Sequence, residues 1–135
     1  MIRILYGLIL LGVALVFYLS WVPNPDLHFV RFVPGWVARW ADQEVNEDLR
    51  TGVPFVFLGL LAGLLFAQRP DDFFRWFISW LILTGVVVIA EVGQLWLPKR
   101  TFSWIDIGWG AAGALVGLIV AALLQKIKFI PAKKQ

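Results

Sequence analysis

Four long apolar runs constrain this chain more than anything else in it. They cover residues 4–22, 51–67, 73–97 and 104–124. As a helix, the first would be about 28 Å long, close to the ~30 Å of a bilayer's hydrocarbon core. Only helices and closed barrels satisfy their backbone in lipid, and unbroken apolar runs of this length read as helices. The expected fold is an all-α membrane protein: one domain, residues 1–135, with four transmembrane helices. The second run is at the short limit, so it is expected to begin earlier or to sit where the bilayer thins. Arg3 precedes the first run and Pro23-Asn24-Pro25 stops it. No small-residue cleavage site follows, so this run reads as an uncleaved span.

The chain is 60% hydrophobic, which fits this class, and its side chains exclude several chemistries. Without cysteine there is no disulfide, iron–sulfur cluster or thiol catalysis. One histidine, His28, excludes a bis-His haem or His-rich metal site within a chain. No metal and no cofactor are expected. The net charge of +3 does not indicate nucleic acid, because Lys126, Lys128, Lys133 and Lys134 cluster beside the last span. There they set topology and meet anionic lipid.

With both termini cytoplasmic, Arg3, Arg69, Arg75 and those four lysines lie inside, and Arg31, Arg39, Arg50, Lys99 and Arg100 outside. This bias predicts a multi-pass membrane protein with outward-facing segments at 23–50 and 98–103. Trp21, Trp36, Trp40, Trp96, Trp104 and Trp109 then form an outer interfacial belt, and Trp76 and Trp80 anchor the inner side.

The outer loop 23–50 is patterned. Phe29, Phe32, Val33, Trp36, Val37 and Trp40 recur at three- and four-residue steps. This predicts an amphipathic interfacial helix over 27–41, broken at Pro34-Gly35. It reads as an interfacial anchor or as a lid over a polar site. Asp42, Glu44, Glu47 and Asp48 follow, a solvated turn or helix start without the glycine and ligand ladder of a calcium loop.

Small residues mark the helix contacts. Gly59 and Gly63 form a G-x-x-x-G pair, and Gly110, Gly113 and Gly117 share one side of the fourth span. That seam is expected to pack against the third span, which carries Gly85 and Gly93. Polar residues mark the candidate site. Glu91 in an apolar span costs roughly 2.5–3.5 kcal/mol on insertion scales, so it needs a partner. Gln94 shares its helix face, Arg100 sits in the Pro98-Lys99-Arg100 turn, and Asp106 opens the fourth span. A guanidinium fork is able to serve both carboxylates.

The pattern E-x-x-Q, then R, then D, then spaced glycines resembles the VanZ-like family of small bacterial membrane proteins. Here it is Glu91-Val92-Gly93-Gln94, Arg100 and Asp106, followed by Gly113 and Gly117. The family's Asn four residues after the Asp is replaced by Gly110. In an earlier block, Thr51, Phe55 and Gly59 take the places of a His or Asn, an aromatic and a Gly, so the resemblance adds Thr51 to the polar cluster. It implies a cell-envelope protein of the bacterial cytoplasmic (inner) membrane. The founding member is associated with resistance to the glycopeptide teicoplanin, and other members with glycolipid or exopolysaccharide pathways.

Three functions stay open on the sequence. One is a non-enzymatic protein whose cluster clamps the hairpin of the third and fourth spans and binds a lipid head group or glycopeptide. Another is a small enzyme acting on a lipid-linked phosphate or sugar, although no nucleophile with a base is recognisable. The last is a subunit of a larger membrane complex. The expected partners are membrane lipids and, on the last reading, other membrane-protein subunits.

Overall fold

The computed structural model describes residues 2–22, 30–66 and 73–129, excepting the side chains of Phe66, Lys128 and Phe129. His28, the Pro23-Asn24-Pro25 stop, residues 27–29 of the amphipathic stretch, residue 67, Arg69, Lys133 and Lys134 lie outside them. The described elements are α1 (Ile2–Trp21), α2 (Gly35–Ala41), a short 3-10 turn (Glu44–Asn46), α3 (Glu47–Phe66), α4 (Phe73–Gln94) and α5 (Trp104–Phe129). No strand occurs among the described residues. Four of the helices are long and apolar enough to cross a membrane.

The helix boundaries differ in part from the sequence reading. The second span does begin earlier than residue 51, one of its two expected outcomes: it starts at Glu47, because Glu47 and Asp48 occupy its first turn, where the helix's positive pole favours acids. The third helix stops at Gln94 rather than residue 97. Leu95, Trp96 and Leu97 donate instead to the carbonyls three residues back, tightening the exit. Glu91 therefore lies one turn from a helix end, not deep within a span. The fourth helix continues past 124 to Phe129.

Among the described residues of the amphipathic segment, 30–41, helix covers Gly35–Ala41, beginning at the Pro34-Gly35 break. Ala38 and Ala41 are its buried residues, while Trp36 and Trp40 are exposed at 70% and 38%.

The centre of the molecule is the α3–α5 pair, and it corrects the expected seam. A Cβ at Gly113 would run into the Gly52 carbonyl, and one at Gly117 into the Val56 carbonyl. A Cβ at Gly59 would meet the Ala114 carbonyl, and one at Gly63 the Ala121 methyl. Both helices advance together through these contacts, so they run parallel and touch backbone to backbone. The seam of α5 thus faces α3, not α4. Only Gly110 faces α4, where a Cβ would sit 2.7 Å from Val87. The physical reason is topological: α4 returns the chain, so α5 runs alongside α3 in the same direction. Gly85 has open space around it and Gly93 meets α1, so neither helps such a seam.

Phe55, Leu58 and Ala62 of α3, Leu83 and Val87 of α4 and Ala114 of α5 form the buried core. Trp80, expected as an inner-side anchor, spends its indole N–H within the bundle, donating to the Ala111 carbonyl at 2.9 Å. Helix α1 contributes no buried residue.

Candidate functional site

The expected polar residues lie where α1 and α4 end and α3 and α5 begin. Glu91 and Gln94 point inward from the last turn of α4 and are 3% and 8% exposed. Arg100 and Asp106 are half-buried, the first in the connecting turn and the second in the first turn of α5. Thr51 is half-buried on the neighbouring α3, beside the Gly52 that receives Gly113.

Ser103 organises the start of α5. Its hydroxyl accepts the Asp106 N–H at 3.2 Å, a side-chain N-cap. In a capping box the acidic side chain three residues on would return the bond to the cap's own N–H. Here Glu91 does so from another helix: its Oε2 accepts the Ser103 N–H at 3.1 Å. That bond ties the end of α4 to the start of α5 and gives the buried carboxylate a donor. It also spares the Asp106 carboxylate from capping. Asp106 lies instead within electrostatic range of Glu47, Asp48 and Arg50 at the start of α3.

Arg100 and Gln94 turn to α1. The Arg100 Nη2 donates to the Leu19 carbonyl at 2.8 Å and its Nε to the Val22 carbonyl at 3.1 Å. The Gln94 amide donates to the Ser20 carbonyl at 3.2 Å. The last carbonyls of a helix lack intrahelical partners, and these donors supply them. A cation is also favoured at that negative pole. Arg100 remains within electrostatic range of Glu91, as does Asp106. Trp21 completes the joint, donating its indole N–H to the Ala90 carbonyl at 3.1 Å. A Cβ at Gly93 would occupy the space of that indole, so the glycine is what lets Trp21 lie on α4.

The structure thus joins Glu91, Gln94 and Arg100 through Ser103, Trp21 and the end of α1, with Asp106 within electrostatic range of Glu91 and Arg50. The sequence reading missed the Ser103 cap, although S-x-x-D ahead of an apolar run is the signal that marks it. Carbonyls accepting from Arg100 carry no residue signature, and neither does the placement of Arg50, which is 3.9 Å from Asp42. Trp36 and Trp40 stand on α2, and the Trp40 carbonyl accepts from the Asn46 amide at 2.9 Å. No group of three or more His, Cys, Asp or Glu able to hold a metal ion occurs among the described residues.

Comparison with known proteins gives one match. The VanZ/LLP1 family model covers residues 4–125. No curated protein and no solved structure matches.

Proposed function

The chain belongs to the VanZ/LLP1 family, and from that premise we propose a non-catalytic membrane protein of the cell envelope whose helix-end cluster both clamps the bundle and receives the polar head of an amphiphile. On this reading the cluster faces outward from the cytoplasmic membrane, and the head belongs to a lipid or a glycopeptide. The observation that carries it is the division of labour among the charges. Glu91, Gln94 and Arg100 bond to main-chain groups at helix ends, whereas the Asp106 carboxylate is not needed for its own cap. Intramembrane charge serves function by default, and this cluster assigns most of its charge to holding helices. The charge this reading assigns to the ligand is the Asp106 carboxylate, within electrostatic range of Arg50.

The test separates the two roles. Glu91→Gln lacks the charged acceptor for Ser103 and should lose about 1–3 kcal/mol of stability, read as thermal melting in detergent. Asp106→Asn keeps the cap and should melt within about 0.5 kcal/mol of the wild type. Mass spectrometry of protein extracted with native lipid should show a bound amphiphile whose retention changes in Asp106→Asn, rising if its head is negative and falling if it is positive. Equal retention by Asp106→Asn would leave the cluster as a clamp alone.

A further inference from the structure

A groove of about 470 Å³ lies between α1 and α4, lined by Trp21, Val88, Ile89, Val92, Gly93 and Trp96. Its wall is almost entirely carbon. It is also fixed in place: Trp21 stacks on Phe17 with ring centroids 4.9 Å apart and is hydrogen-bonded to Ala90. Gly93 forms the floor, where the indole rests on the α4 backbone. The groove ends at the polar cluster. Leu19, Ser20 and Val22, which flank Trp21, receive the bonds of Arg100 and Gln94. Lys99 is exposed in the same turn, so two cations follow Trp96 within four residues.

We infer that this groove seats one hydrocarbon chain of an anionic lipid whose head group lies at the Lys99–Arg100 turn. This rests on the reading of the cluster as a head-group site and adds the chain subsite and the sign of the head. An apolar trough with a cationic end is complementary to an amphiphile with a negative head. Trp21 and Trp96 bracket the trough at the level where indoles prefer the membrane boundary. Neighbouring aliphatic surface on α5 has its exposed cation, Lys126, at the far end of the helix, so a chain there would slide as ordinary solvent lipid.

The experiment uses the intact purified protein and native mass spectrometry with two probes, dioleoyl and dihexanoyl phosphatidylglycerol. They share a head group and differ in chain length. Ile89→Trp and Val88→Trp fill the groove at lipid-facing positions, with thermal melting as the control for folding. Wild-type protein should bind the dioleoyl lipid more tightly than the dihexanoyl one. Either variant should lose about tenfold in dioleoyl binding, ~1.4 kcal/mol, and keep its dihexanoyl binding. Unchanged dioleoyl binding in folded variants overturns the chain site and leaves the head-group reading standing. Binding of neither lipid by the wild type overturns the anionic-lipid inference, and the head-group reading is then decided by the native-lipid extraction alone. Should the variants fail to fold, phosphatidylglycerol with a photoreactive acyl chain decides on the wild type. Cross-links at 17–21 and 88–96 support the groove, and cross-links spread over α5 overturn it.

Discussion

Helices α3 and α5 are held together by what their residues lack, and α1 is held by what its neighbours donate. Along the α3–α5 seam, glycines remove side chains so that carbonyls and Cα atoms touch. In lipid there is little hydrophobic force between helices, so close packing of small residues is a main source of attraction. Helix α1 offers no fully buried residue and leans on the bundle through half-buried Val13 and Val16, the approach of Gly12 to Leu58, Trp21, and the carbonyls of its last turn. The pair depends on shape along its whole length. The arm has a lighter apolar contact, and its polar bonds are concentrated at one end.

That difference predicts how each joint fails. The largest effect should come from Gly117→Val, whose new carbon atoms meet the Val56 carbonyl and the Leu60 N–H, both backbone and unable to turn away. A loss of about 3 kcal/mol or more is expected, read as collapse of folded yield and melting temperature in detergent. A variant that melts like the wild type would show that the seam is not the main joint. Gly93→Ala should cost less, about 1–3 kcal/mol, because the Trp21 indole is a side chain that can swing aside. Its signature is local: hydrogen exchange should rise over residues 17–22 and stay unchanged across the α3–α5 seam. Equal loosening of both regions would erase the distinction between arm and pair. The smallest effect belongs to Gly7→Ala. Nothing lies near that position, so the added methyl should stabilise α1 by about 0.5–1 kcal/mol through backbone entropy.

The sequence carried the four spans because hydrocarbon thickness imposes a length that composition alone satisfies. Boundaries were less legible. Glu47 and Asp48 begin α3 as polar residues, and a hydropathy reading stops before them. The glycine spacing on α5 identified a face but not its partner. A three- or four-residue step says that backbones approach closely, not whose. Adjacency in the chain pointed to α4, whereas parallel α3 is the partner for Gly113 and Gly117. Glu91 was recognisable as a residue needing a donor, but the structure gives it a main-chain N–H. Main-chain partners recur throughout: Arg100, Gln94, Trp21, Trp80 and Gln125 all donate to carbonyls. Every residue carries such a carbonyl, so no letter in the sequence distinguishes the ones that are used.

The bonds of α1 also set a timetable for synthesis. Its Leu19 and Val22 carbonyls are 81 and 78 residues from Arg100, so their partner does not exist when the helix leaves the ribosome. At about 5–20 residues per second, the wait is roughly 4–16 s. A segment that must hold its place without those bonds for that time needs to be apolar enough to stay there. Helix α1 has the highest mean hydropathy of the four spans, 2.3. The span with the lowest, 1.5, includes most of α3, the helix that keeps its backbone bare for α5. The first helix made is thus the one best suited to wait for its partners.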